Sequence, residues 1–407
     1  MSEDRRPDLA APARATLAPD RPPPRLLVNL AAFDALASGA RERALGLSGA
    51  LVRLGVEVIA AEARGQDLAA LVPLPPEAPP LRTLRTPLDP ARPLDRFLRS
   101  GSVFRAILLE ERPDVFLTDF YPAPRVPGVR CAVTVHDLRY LAGAAPGKAL
   151  HRAWFRTLYG AEIRRADLVV TPSAFTRDEA VRRLGLDPAR VAVVPNAVPE
   201  ALRVLPDPAA AARTRERLDL PRRPYLLVLG VLEKRKNIGR LLEALALLHR
   251  EGRPVPPLVI AGRGGPEEGN LRRAAATLPP GAVRWAGYVR PADLPAVLAG
   301  ARALVHPATY EGFGMPVVEA MALGVPVACA ASAALPETAG GAALLFDGEN
   351  SRAMAAGIVE VSQDETVRAS LAARGRGRAS EVTYGRSAGL LLGALGLTAA
   401  RPGPPPG

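Results

Sequence analysis

The feature that most constrains this chain is an alternation of two segment types that runs twice. Short apolar segments read as strands at residues 25–30, 56–60, 114–118, 131–135, 168–171 and 191–194. Stretches with helical spacing, such as 43–54, 148–163 and 173–184, lie between them. The pattern restarts with strand segments at 225–230, 257–261, 283–286, 303–305, 325–329 and 343–345. Its helices are 238–250, 291–300, 316–323 and 351–361. Strand–helix alternation predicts parallel sheets covered by helices on both faces. Two runs predict two doubly wound α/β domains with a cleft between them, divided near the Pro-rich residues 199–224. The expected parts are 25–205, 206–385, and a helix and tail over 386–407. Residues 1–24 and 401–407 are Pro-rich and are expected to be disordered. Open α/β sheets bind ligands outside the carboxyl ends of their strands, so the cleft is where a site is expected.

Composition removes several classes of function. Lys and Arg total 53 against 41 Asp and Glu, a net charge of +12 that divides evenly between the two halves. With no dense basic block and only 4% aromatic residues, nucleic-acid binding is not indicated. A basic surface does favour phosphorylated ligands and peripheral contact with an anionic membrane. Cys131 and Cys329 lie far apart, and the four His are scattered. Neither a disulfide framework nor a metal constellation follows from that spacing. The first 24 residues carry no apolar core of a signal peptide, so a cytoplasmic protein is expected. No G-x-G-x-x-G follows the first strand of either run, which argues against a dinucleotide-dependent oxidoreductase.

The most informative segment is 307–324, PATYEGFGMPVVEAMALG. Pro316 suits the first turn of a helix, where its missing N–H costs nothing. Gly312 and Gly314 before it let backbone approach a ligand, and the free N–H groups of the helix start suit a pyrophosphate. Glu311 lies in the loop and Glu319 about one turn into the helix. Their carboxylates could accept sugar hydroxyls. Spacing alone leaves a second reading, a dipole-favoured Glu and a solvated loop Glu.

The chain has 50 Arg but only three Lys, Lys148, Lys234 and Lys236. Two of the three fall in Lys234-Arg235-Lys236, after the glycine-terminated strand ending at Gly230. Three cations there fit a diphosphate, or form a solvated basic turn. His136 ends a strand and reads as a structural hydrogen-bonder or a ligand residue. His151, His249 and His306 read as structural. Gly39 marks a loop before the first helix, and Gly262 lies in a segment (261–265, AGRGG) that could frame a base pocket or be a simple turn. Residues 73–99 read as a mobile loop; their Leu and Arg residues leave contact with a lipid-linked acceptor or a membrane as the alternative.

Six segments together resemble the retaining family 4 (group 1) glycosyltransferases. They are 133–138 (VTVHDL), 171–173 (TPS), 194–198 (VPNAV), 229–237 (LGVLEKRKN), 307–324 and 335–346 (LPETAGGAALLF). Glu311 and Glu319 are the pair of the family's E-x7-E signature. The resemblance runs from about 25 to 391 and implies the GT-B fold, with mannosyltransferase-like members the nearest in the LEKRKN loop. It implies transfer of a hexose from a GDP- or UDP-linked sugar to a glycan, lipid-linked or small-molecule acceptor, with no metal or other cofactor. Glu311, His136, Arg235 and Lys236 are the catalytic residues it points to. Gly39, Gly230, Arg235, Lys236, Gly262, Gly312, Phe313, Gly314, Met315 and Glu319 form the expected nucleotide-sugar site. Two positions depart from the family pattern. Leu232 stands where many relatives carry Arg, so Arg235 would supply that charge, and Gly341 stands in place of an Asp. A sugar phosphorylase or epimerase on the same fold, or a non-catalytic sugar-nucleotide binder, are the competing readings.

Overall fold

The computed structural model describes residues 22–33, 38–89, 98–119, 123–143, 157 and 159–398. The Pro-rich end 401–407, most of the N-terminal segment, Lys148 and His151 lie outside these residues.

The first run of strands forms a seven-stranded parallel sheet. Its strands are β1 (Arg25–Asn29), β2 (Glu57–Ala63), β3 (Arg82–Thr86), β4 (Val115–Thr118), β5 (Arg130–Thr134), β6 (Leu168–Thr171) and β7 (Val191–Val193). Their order is β3-β2-β1-β4-β5-β6-β7. The second run forms a six-stranded parallel sheet of β8 (Tyr225–Leu229), β9 (Leu258–Ala261), β10 (Val283–Gly287), β11 (Ala301–His306), β12 (Val327–Ala330) and β13 (Leu344–Phe346), in the order β10-β9-β8-β11-β12-β13. In each sheet the order reverses beside its first strand, β1 or β8, which places a switch point at that strand's carboxyl end.

The strands read as unbroken apolar runs because both faces of a parallel sheet are covered. All five residues of β8 are buried. In β1, Leu26 and Val28 enter the core on one face while Leu27 enters the core on the other, as a period of two requires. The second domain has its own core, which includes Leu226, Leu245, Val305 and Val318. Helix Gly39–Arg53 leads from the β1 loop across the sheet to β2, capped by Ser38, whose hydroxyl accepts from the Arg41 N–H. Helix Tyr384–Ala394 carries the chain end back from the second domain to the first, where Tyr384, Leu391 and Leu392 join the first domain's core.

One expectation is corrected. Within 73–99, read as a mobile loop, residues 82–86 are strand β3, paired in parallel with β2 from Arg82 to Thr86. Leu84 and Leu81 pack against the two cores of the first domain. The arginines that obscured the pattern are ion-pair partners. Arg82 reaches Glu111 at 2.6 Å and Arg85 reaches the fully buried Glu62 at 2.7 Å. Arg92 and Leu94 of the same segment lie outside the described residues.

Candidate active site

The site is assembled from strand ends. β11 ends at His306, and the loop after it carries Glu311 into helix Met315–Ala322. Gly314, with φ of +100°, occupies the position before that helix. β8 ends at Leu229, and the next loop makes a short turn at Lys234–Lys236. The two loops meet at the Glu311 carboxylate. Arg235 Nη1 donates to its Oε2 at 3.0 Å. Lys236 Nζ donates to Oε1, and His306 Nε2 lies 3.2 Å from the same oxygen. Arg235 is further fixed by Glu233 Oε2 at 2.8 Å and by the Tyr310 carbonyl at 3.2 Å.

Burial opposes ionisation of Glu311. The charge of Lys236, the hydrogen bond from His306 and the charge of Arg235 outweigh it, and the carboxyl sits well below its usual range. Three donors occupy three of the roughly four acceptor directions of the carboxylate. One direction remains on Oε2.

Glu319, the fifth residue of its helix, is in a different environment. Burial pushes its carboxyl up to about 7, the charge of Glu42 from the first domain adds to the rise, and Lys236 opposes it. The motif's two glutamates therefore differ in state. Glu311 is held ionised, whereas Glu319 titrates near neutrality.

The glycines mark where backbones meet. A Cβ on Gly312 would come within 1.9 Å of the His136 carbonyl oxygen, so only glycine lets the loop touch the first domain there. Ser173 Oγ at 2.7 Å and Thr176 Oγ1 at 3.1 Å both donate to the Gly312 carbonyl. The Glu337 carboxylate accepts from the Ala174 and Phe175 N–H groups at the start of helix Ala174–Leu184. A residue of the second domain thus caps a helix of the first. A Cβ on Gly262 would strike the Gly230 carbonyl at 1.8 Å, so these two expected residues form one tight backbone crossing. Lys236 packs over Gly230.

His136 follows β5, with Nε2 2.9 Å from Asp119 Oδ2. Asp119 is buried yet held below its usual range. Burial opposes this, and His136 and Arg43 outweigh it. Gly39 begins the first helix, and Met315 reaches toward it from the opposite domain. Phe313 places its ring in the second domain's core, 6% exposed, so its side chain offers no ligand surface. Gly262 and Gly264 line a cavity of about 180 Å³ with Trp285, Tyr288 and Arg272. The Arg272 guanidinium lies 4.6 Å from the Trp285 ring centre.

Three residues beside the expected ones were not singled out for function from the sequence: His306, Asp119 and Glu42. The available signal was position, since His306 and Asp119 stand at the carboxyl ends of otherwise apolar strand segments. Among the described residues, no three or more His, Cys, Asp or Glu side chains form a group suited to a metal ion. Among them, no helix is long and apolar enough to cross a membrane.

A family model described as Glycosyltransferase Family 4 matches residues 37–202, and one described as Glycosyl transferases group 1 matches residues 212–378. The chain belongs to the family 4 (group 1) glycosyltransferases. The O-antigen chain mannosyltransferase B of Escherichia coli is 36% identical over 220 residues, covering 54% of this chain and 58% of that protein. A GDP-mannose-dependent alpha-(1-6)-phosphatidylinositol monomannoside mannosyltransferase of Mycolicibacterium smegmatis is 33% identical over 242 residues, 56% of this chain and 62% of that protein. The chain thus spans little more than half the length of these curated relatives. The solved structure of WaaG, a glycosyltransferase involved in lipopolysaccharide biosynthesis, superposes with a TM-score of 0.68 at 18% identity, over 92% of this chain and all of that one. That likeness shows the fold, which is GT-B.

Proposed function

We propose that this glycosyltransferase moves a hexose, mannose in preference to glucose, from a nucleotide diphosphate sugar to an acceptor hydroxyl with retention at the anomeric carbon. The observation that carries the reading is the convergence of Lys236, Arg235 and the start of helix Met315–Ala322 on Glu311 at the carboxyl ends of β8 and β11. Two cations and a helix start suit a diphosphate leaving group. The preference for GDP-mannose rests on the two mannosyltransferase relatives, one of them GDP-mannose-dependent.

The geometry supports the following assignment of roles. Lys236, Arg235 and the N–H groups after Gly314 take the charge that develops on the leaving diphosphate. Glu311, with one acceptor direction open, holds one donor-sugar hydroxyl. Glu319 accepts from the ribose hydroxyls. The cavity beside Trp285 and Tyr288 takes the base. His136, fixed by Asp119, faces the sugar from the first domain. The bond from the anomeric carbon to the phosphate oxygen breaks, and the acceptor oxygen bonds on the same face. The acceptor's proton passes to the leaving phosphate oxygen. The protein's part is placement and electrostatic stabilisation, with donor binding independent of a divalent metal. The acceptor is a glycan or lipid-linked hydroxyl.

The test is calorimetric titration of GDP, UDP and ADP in EDTA, followed by turnover of the matching sugar nucleotides. One nucleotide should bind, and Lys236→Ala should abolish binding. Glu311→Ala should lower kcat by about a hundredfold or more with nucleotide affinity retained. Glu319→Ala should weaken nucleotide binding as well. Absence of binding by all three nucleotides, or wild-type turnover in Glu311→Ala, would overturn the reading.

A further inference from the structure

His306 is a titratable side chain that the transfer chemistry above does not use. It is 1% exposed at the end of β11, in a strand whose other inner residues are apolar. Its Nε2 lies 3.2 Å from Glu311 Oε1, while its Nδ1 is buried with no hydrogen-bond partner among the described residues. An ionised carboxylate only accepts, so the hydrogen of this contact is on Nε2. An orphaned lone pair on Nδ1 costs less in a buried site than an orphaned N–H of an imidazolium. Burial holds the imidazole below its usual range. The hydrogen bond to Glu311 pulls the other way, and Lys236 and Arg235 add to the depression. His306 is therefore a neutral donor among charged ones.

That difference matters when a diphosphate arrives. Lys236 and Arg235 are the cations that Glu311 uses, and they are the same cations the diphosphate needs. A buried carboxylate losing both to a competing anion would be left with a large desolvation cost. The His306 donor is not drawn away, because its ring is packed at the end of a buried strand and an uncharged Nε2–H is attracted to a diphosphate far less than a cation is. We infer that His306 is a positioning residue: its Nε2–H holds the Glu311 carboxylate in place while Lys236 and Arg235 turn to the donor diphosphate. The inference rests on the proposed glycosyl transfer and adds a residue to it. The charged or titratable groups facing Glu311 are Lys236 and Arg235 from the β8 loop and His306 from β11.

The experiment compares wild type, His306→Leu and His306→Gln. It reads GDP and UDP affinity by calorimetry, and kcat on GDP-mannose and UDP-glucose between pH 4 and 8. His306→Leu should lower kcat about 10- to 100-fold, the loss of one hydrogen bond to a charged acceptor. Nucleotide affinity should change less than about threefold, because the cations remain. Wild-type Glu311 is held well below the usual carboxylate range, so the limb of kcat that it sets lies at or below the acid end of this window. That limb should move up into the window in His306→Leu, because Glu311 loses one of the groups that favour its ionised form, while a limb set by Glu319 should stay in place. His306→Gln, whose amide can donate from a similar place, should recover most of kcat and restore the limb. If His306→Leu does not fold, His306→Met supplies the same donor-free comparison. An unchanged kcat overturns the role, as does a joint loss of kcat, affinity and melting temperature with no shift of the acid limb. A wild type that turns over neither donor and binds neither nucleotide overturns the glycosyl-transfer reading instead, and the role of His306 falls with it.

Discussion

At the scale of single residues, the two glutamates of the E-x7-E motif are chemically unlike, although their spacing makes them look equivalent. Glu311 is surrounded by donors, and Glu319 faces another carboxylate, that of Glu42. Glu319 titrates at about 7 in the folded chain against an ordinary 4.5. A raised carboxyl binds its proton in the folded state where the unfolded state has lost it, so folding stability falls as pH rises from about 4.5 to about 7. Glu319→Gln should therefore stabilise the free protein at pH 8, and the gain should vanish below pH 4. Thermal melts of the two proteins across that range check this. Ribose hydroxyls donating to Glu319 favour its ionised form, so nucleotide binding near pH 6.5 should release protons. Calorimetry in buffers of different ionisation enthalpy measures that release, and Glu42→Gln should reduce it. The motif residues were legible in the sequence because their types and spacing encode a shared task. Glu42, Asp119 and His306 were not, because each gains its meaning from a partner brought up by another strand or helix.

At the scale of elements, the strands and helices that pack on both faces were legible, since burial on both sides leaves an apolar signature that needs no context. Helix Ile238–Arg250 lies where its apolar spacing puts it, with Leu241, Leu242, Leu245 and Leu248 buried. Strand β3 was illegible because Arg82 and Arg85 erase the apolar alternation; their partners, Glu111 of helix Ser100–Glu111 and Glu62 of the neighbouring strand β2, are brought up only by the fold. The loop carrying Glu311 adds a constraint between elements. Gly312 is the point where the loop meets the His136 carbonyl, and Ser173 and Thr176 secure it there. Gly312→Ala places a methyl group where that carbonyl stands, so the two domains must separate locally. The expected result is a loss of kcat of about a hundredfold, the order found when reacting groups are misplaced by an ångström. Nucleotide affinity should be nearly unchanged, because Lys236, Arg235 and the Trp285 cavity belong to the second domain alone. A larger radius of gyration by small-angle scattering in the presence of donor should accompany it. Full activity in Gly312→Ala would mean that the contact is not part of the working state.

At the scale of the whole molecule, the two sheets have separate cores, and the sequence showed this through its restarted alternation. It did not show where the chain end goes. Helix Tyr384–Ala394 is apolar enough to pack on either domain, and the contact that decides is between distant residues. Tyr384 Oη donates to the Glu42 carbonyl at 3.0 Å, and Gly46 leaves room for its ring, which a Cβ there would meet at 2.3 Å. The first domain therefore depends on a helix that follows the second in the chain. Separate cores predict unfolding in two calorimetric transitions rather than one. The nucleotide's proposed contacts lie almost wholly in the second domain. GDP or UDP at a hundred times its Kd should then stabilise that domain by about 2.7 kcal/mol, raising one transition and leaving the other in place. Gly46→Val drives a side chain into the Tyr384 ring and loosens the terminal helix from the first domain. It should lower the transition that nucleotide does not move. If nucleotide instead shifts one common transition, the contacts of Glu337, Ser173 and Thr176 across the cleft are strong enough to make the domains unfold together. Gly312→Ala, which weakens those contacts, should then split that transition in two.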